Sequence, residues 1–213
     1  MSKKINAQII NLKKDEKRYE DMTKKLDDLS FCNYKRFDAV VGSEVYNKLL
    51  KENKIYKIGD RLFLNNMMVG CWQSHLTIWQ EMIDNSMAEL LIFEDDCIFK
   101  ENFTEKFYKT MELIKDREFD ILYLGYSGCD VIFDKELHLI SHGCPRTTHC
   151  YILTLSGAKK LVNKLSRINF PIDELMGGMF RKKELIGYRT SELLVWQPWQ
   201  WSRKNVRNKY FKC

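Results

Sequence analysis

Apolar residues come in short bursts along this chain, and the period of each burst indicates an element. INAQIINL, residues 5–12, reads as a strand. Asp15 then starts a helix through Leu29, with Tyr19, Met22, Leu26 and Leu29 on one face. NYKRFDAVVG reads as a second strand stopped by Gly42, and SEVYNKLLKEN as a short helix. From Asn65 to Asn85, Trp72, Leu76, Trp79 and Ile83 recur at three- or four-residue steps, the spacing of a long helix. AELLIFEDD is a continuous apolar run ending in three acids, as expected of a strand covered on both faces. TEKFYKTMELIKD is helical, FDILYLG a buried strand, CYILTL another strand, and SGAKKLVNKLS a helix with Ser156 as its N-cap. A hairpin is expected around DVIFDKELHLI, and the tail from Phe170 alternates short elements with the Trp-rich VWQPWQWSR.

Strand–helix alternation of this kind predicts an α/β fold with a mostly parallel central sheet and helices on both faces. The 213 residues suit one domain, and no linker or internal repeat divides them. The longest apolar runs are far shorter than the ~20 residues of a spanning helix. The N-terminal residues lack the apolar stretch of a signal peptide, so the expectation is a cytoplasmic protein. Seven cysteines, an odd number with no Cys-x-x-Cys, read as free thiols in a reducing compartment. His138, His142 and His149 interleave with Cys144 and Cys150, but their spacing matches no standard zinc pattern. Lys plus Arg outnumber Asp plus Glu by 35 to 29, a net +6. That excess suits a solvated surface, an anionic ligand such as a nucleotide diphosphate, or weak contact with an anionic membrane surface. A concentrated basic stripe in a nucleic-acid-binding module is absent.

The chemistry concentrates at Glu94, Asp95 and Asp96. Active sites of open α/β sheets lie at carboxyl strand ends. Three adjacent carboxylates repel unless a cation or hydrogen-bond donors offset them. A hard divalent cation carrying phosphate oxygens suits them. Extended alternation puts Glu94 and Asp96 on one side and Asp95 on the other. A glycoside hydrolase is an alternative, with Asp173 as the distant second carboxylate. A non-catalytic carbohydrate-binding domain is another.

Several blocks, in order, resemble glycosyltransferase family 25, the sugar transferases of lipopolysaccharide biosynthesis and their collagen galactosyltransferase relatives. INLKKDEKRYEDM, FDAVVG, VGCWQSHLTIW, LLIFEDD, FDILYLG, HCYILTLSGAKKLV and FPIDELM carry the likeness. The stretch between Gly125 and His149 and the tail depart from it. The resemblance implies a GT-A-type, Rossmann-like fold. It also implies an inverting, metal-dependent transfer of a hexose, galactose or glucose, from a UDP-sugar to a hydroxyl of a glycan or protein. Residues 1–125 would form the donor half and residues 126–213 would shape the acceptor site.

The roles it implies are these. Asp96, with Glu94, would hold Mn²⁺ or Mg²⁺. Asn11, Leu12, Arg18, Asp38, Ala39, Ser74, His75, Glu94 and Asp95 would bind the donor, Arg18 reaching the diphosphate or pairing with Asp38. Asp173 would be the general base, with Glu174 as its fallback. Trp196, Trp199 and Trp201 would stack on the acceptor sugar or form a hydrophobic lid. Independently of the resemblance, Gln197 or Gln200 is a candidate contact for donor or metal, and Cys71, together with Trp72 and Trp79 at helical spacing, reads as core.

Overall fold

A computed structural model describes residues 4–128, 136–141 and 145–198. The chain begins with β1 (Ile5–Asn11), α1 (Glu16–Leu29), β2 (Cys32–Asp38), α2 (Gly42–Lys51) and α3 (Asn66–Asp84). It continues with β3 (Glu89–Glu94), β4 (Ile98–Phe99), α4 (Phe103–Ile114), β5 (Ile121–Ser127) and β6 (Leu137–Leu139). It ends with β7 (Arg146–Thr154), α5 (Leu155–Leu165), α6 (Ile172–Arg181), β8 (Gly187–Thr190) and β9 (Val195–Trp196). Asn65 caps α3 by accepting the Met68 N–H at 2.9 Å.

Seven strands form one sheet in the order β2-β1-β3-β7-β5-β8-β6. β1, β2, β3, β5 and β8 run one way; β7 opposes both its neighbours and β6 opposes β8. The expected α/β class with a mostly parallel sheet is therefore what forms, though it is mixed at β7 and β6. Alternate side chains of each central strand feed two cores. Leu90, Ile92, Tyr151 and Leu153 pack under α2, α3, α5 and α6, while Leu91, Phe93, Cys150 and Ile152 pack under α1 and α4. Burial on both faces is why these strands read as unbroken apolar runs.

Two local expectations need correction. α5 is capped by Thr154, whose hydroxyl accepts the Gly157 N–H at 3.1 Å, because Ser156 already lies inside the helix. The Ser156 hydroxyl instead donates to the buried Asp120 at 2.9 Å. β6 pairs with the distant β8, Leu137 opposite Thr190, rather than with a local hairpin partner, and residues 130–135 of that stretch lie outside the described residues. Trp72 and Trp79 are fully buried, as expected, and the Trp72 indole donates to the Leu165 carbonyl at 2.8 Å. Among the described residues, no helix is long and apolar enough to cross a membrane.

A second, two-stranded ladder matters more for the site than its size suggests. β9 pairs antiparallel with β4, Ile98 opposite Trp196. β4 begins two residues after Asp96, so this register brings Gln197 back to the acidic end of β3.

Candidate functional site

β1, β2 and β3 are parallel, so their carboxyl ends share one edge. Asn11 stands opposite Asp38, and Ile10 opposite Glu94. A cleft of about 440 Å³ opens over these ends, lined by Leu12, Arg18, Ala39, His75 and the carboxylates Glu94, Asp95 and Asp96 among others. Its far wall is the start of α3. A Cβ at Gly70 would come within 2.6 Å of the Val40 carbonyl oxygen, and one at Gly42 within 1.7 Å of the Asn66 carbonyl oxygen. Glycine at both positions lets the loop after β2 touch the α3 backbone. Ser74 fastens the same contact: its hydroxyl donates to the Gly70 carbonyl at 2.7 Å and accepts the Val40 N–H at 2.9 Å. It borders the cleft with its proton already engaged. Cys71, expected in the core, packs half-buried against its edge and also lines the cleft.

The acids are held individually. Asp95 accepts from Asn11 Nδ2 at 2.6 Å and from the Arg18 guanidinium at 2.6 Å. Arg18 also reaches Asp96 at 3.4 Å. It pairs with these acids and not with Asp38, which pairs with Arg36 at 3.3 Å. Gln197 Nε2 donates to Glu94 Oε2 at 3.2 Å and to Asp96 at 3.2 and 3.4 Å. β3 ends at Glu94 and the next two acids lie in a turn, so the expected alternation does not carry through: Gln197 bridges Glu94 and Asp96, Arg18 reaches Asp95 and Asp96, and all three line one cleft. Burial, then the neighbouring carboxylates, hold the Asp95 and Asp96 carboxyls above the ordinary range despite Arg18. One guanidinium does not neutralise three carboxylates. Asn11 is almost fully buried, and its Oδ1 has no hydrogen-bond partner.

Glu94 stands against a polar wall. Thr148 donates to its Oε1 at 2.9 Å, and His75 Nε2 lies 3.6 Å from the same oxygen. Burial pushes the Glu94 carboxyl up, but His75, His149 and Thr148 more than offset this and its pKa is lowered. Behind His75, Nδ1 is 2.8 Å from the Tyr151 hydroxyl, which also accepts from the Trp79 indole at 2.9 Å. An indole N–H can only donate. The arrangement that uses every proton has Tyr151 donating to Nδ1. With Nδ1 accepting, the ring N–H lies on Nε2, the nitrogen that faces Glu94. Nε2 is buried and lacks a hydrogen-bond partner at normal distance.

Asp173 and Glu174 lie in the first turn of α6. Asp173 accepts from Thr147 N at 3.1 Å and from Glu174 N at 3.0 Å. Burial, and after it the Glu94 carboxylate, push the Cys71 thiol well up. Adjacent residues of β7 therefore hold Asp173 (Thr147) and Glu94 (Thr148). Thr147 has φ +70°, an outlier for a β-branched residue, where the β5–β7 register shifts. Its hydroxyl meets His149 Nδ1 at 2.9 Å, and His149 Nε2 faces the Val195 carbonyl at 3.4 Å. A Cβ at Gly125 would come within 2.3 Å of that imidazole. Glu174 pairs with Arg146 at 3.2 Å.

Of the residues proposed for the donor, Leu12, Arg18, Ala39, Ser74, His75, Glu94 and Asp95 border one cleft together with Asp96. Asn11 lies beneath it, and Asp38 is exposed and drawn aside to Arg36. Trp196 is only 8% exposed, so its indole lacks the open face that stacking on a sugar requires. Trp199, Trp201 and Gln200 lie outside the described residues, as do His142 and Cys144. His149 is engaged by Thr147 and Val195. Cys71, His75 and Glu94 do bring a thiol, an imidazole and a carboxylate within 4.8 Å of one another. Sequence reasoning missed Thr148 and Tyr151. Thr148 lies in the stretch that departs from the family, and Tyr151 looked like one more apolar strand position.

An α/β domain with carboxylates clustered in a cleft at its parallel strand ends has the architecture of a ligand-handling enzyme domain. The model of glycosyltransferase family 25 (LPS biosynthesis protein) matches residues 4–142, and the chain belongs to that family. It is 28% identical over 199 residues to procollagen galactosyltransferase 1-A of Xenopus laevis, covering 84% of this chain and 32% of that protein. It is 36% identical over 120 residues to the inactive glycosyltransferase 25 family member 3 of Mus musculus, covering 53% of this chain and 20% of that one. The chain thus spans a fifth to a third of the length of these relatives. A solved glycosyltransferase involved in glycosylation of the major capsid of PBCV-1 aligns over 83% of this chain and 67% of its own, with 8% identity and a TM-score of 0.40.

Proposed function

We propose that this domain is an inverting glycosyltransferase that moves a hexose from a UDP-sugar to an acceptor hydroxyl, assisted by a divalent cation. The observation carrying this reading is the triplet Glu94-Asp95-Asp96, opening into a cleft at the ends of β1, β2 and β3 with one arginine among three carboxylates. The residues fit a hard cation: the donors are carboxylate oxygens, and they carry more negative charge than Arg18 offsets. Glu94 and Asp96 would hold Mn²⁺ or Mg²⁺, which would neutralise charge developing on the departing diphosphate. Cys71, His75 and Glu94 fit such an ion less well, because the Cys71 thiol is held protonated and a thiol is a soft ligand.

The chain's own residues would share the remaining work. Leu12 and Ala39, at the ends of β1 and β2, would border the nucleoside. Arg18, half-exposed beside Asp95 and Asp96, would turn towards the diphosphate. His75 and Thr148 would keep Glu94 ionised and oriented. Asp173 would take the acceptor proton, with Glu174 behind it. In-line displacement needs a base on the side away from the leaving group, and α6 is separate from the element carrying the triplet.

The first test is ligand-dependent thermal stability, followed by UDP release from a panel of UDP-sugars with Mn²⁺. UDP at one hundred times its dissociation constant should add ~2.7 kcal/mol. Equal stabilisation by ADP or GDP overturns the uridine assignment. A second reading, a domain that binds sugar nucleotides without turnover, is favoured by the likeness to a relative named inactive. UDP binding with no UDP release from any donor would select it. Membership in a glycosyltransferase family favours transfer over the glycoside-hydrolase alternative.

A further inference from the structure

Each carboxylate oxygen of the acidic triplet has a partner among the described residues, and the partners differ in kind. Asp95 is held by Asn11 and Arg18. Glu94 Oε1 is held by Thr148, with the buried Nε2 of His75 aimed at it from 3.6 Å. Glu94 Oε2 and Asp96 Oδ1 converge on a single atom, Gln197 Nε2, 3.2 Å from each. A carboxamide oxygen turned towards two carboxylates would be repelled, so the nitrogen faces them. Glu94 and Asp96, the pair that would hold a divalent cation, thus share this amide nitrogen as a donor, and a cation held by both would compete with it.

We propose that Gln197 is an amide switch for the cation site. Its side-chain NH₂ and a divalent cation compete for Glu94 and Asp96, and the amide turns to present Oε1 as a ligand when the cation enters. This rests on the cation reading above and goes beyond it by assigning a residue from the far end of the chain. A carboxamide is suited to the task because it carries a donor and a hard oxygen acceptor on one rotatable bond. The backbone need not move, since the β4–β9 register already fixes the residue beside it, Trp196 opposite Ile98. No covalent step is involved.

Gln197→Glu separates the switch from a merely structural hydrogen bond. It removes the donor between two carboxylates and adds a charged oxygen ligand, so both changes favour the cation. The expected result is Mn²⁺ binding, read by electron paramagnetic resonance of free Mn²⁺, tightened by ~10-fold or more, since ligand charge tunes affinity. The melting temperature under chelation should fall below that of the unmutated protein and recover with Mn²⁺. Unchanged Mn²⁺ affinity, with equal loss of melting temperature with and without metal, overturns the switch alone. No Mn²⁺ binding by the unmutated protein overturns the cation reading and the switch together. A second measurement needs no stable Gln197→Glu protein. The Gln197 side-chain NH₂ resonance, identified by its loss in Gln197→Met, should shift as diamagnetic Mg²⁺ saturates the unmutated protein. A resonance that stays fixed through saturation refutes the switch.

Discussion

Tyr151→Phe would delete one oxygen from the sheet and disconnect three side chains. The Tyr151 hydroxyl lies 2.9 Å from the Trp79 indole nitrogen and 2.8 Å from His75 Nδ1, and all three residues are fully buried. Phe keeps the ring packing but leaves a buried indole N–H and a buried imidazole nitrogen unpaired. Each orphaned group costs roughly 1–3 kcal/mol, so two cost about 2–4 kcal/mol if they relax partially. In a domain of this size that corresponds to a melting-temperature loss of roughly 4–16 °C. Urea unfolding should show a lower midpoint with the slope unchanged, because the surface exposed on unfolding is the same. Tyr34→Phe is the control. Its hydroxyl donates to Asp27 at the surface at 2.6 Å, and losing it should cost less than ~1 kcal/mol. If Tyr151→Phe loses no more than Tyr34→Phe, the buried His75–Tyr151–Trp79 chain does not hold His75 as described. The idea that it aims Nε2 at Glu94 then fails as well.

Two further outcomes follow from the same geometry. Asp173→Asn should lower turnover by ~10²–10⁴ while leaving donor binding and melting temperature nearly unchanged; a lower melting temperature with normal turnover would instead make Asp173 only the anchor of Thr147 N and α6. Burial lowers the His149 pKa in the folded protein, so the unfolded chain binds the proton more readily below about pH 6.5. Stability should therefore be complete above that pH and fall below it by up to ~1.4 kcal/mol per pH unit. His149→Gln should flatten that part of the profile, and identical slopes in the two proteins would refute the assignment.

Local pattern by itself determined much of this protein. Leu90 to Phe93 had to be a strand covered on both faces, Asn65 had to open a long helix, and the acids after Phe93 had to emerge at a strand end. Periodicity and capping depend on neighbours within a turn or two, and those neighbours are written side by side in the chain. The ordered blocks from Asn11 to Asp96 also carried the family, because spacing along the chain is itself sequence information. Strand direction was not readable in this way. β7 runs against β3 and β5, yet a strand buried on both faces has the same composition whichever way it runs.

The partners of the acids were equally hidden. Arg18 lies close in sequence to Asp38, but its guanidinium goes to Asp95 and Asp96, because the end of β1 delivers it to the end of β3. Thr148 and Gln197 reach Glu94 only through β-sheet register across 54 and 103 residues. A hydrogen bond between two side chains leaves no periodic trace in either segment. The sequence determined that carboxylates would gather at this edge of the sheet. Only the packing of distant strands decided that an imidazole, a threonine and one amide nitrogen would meet them there.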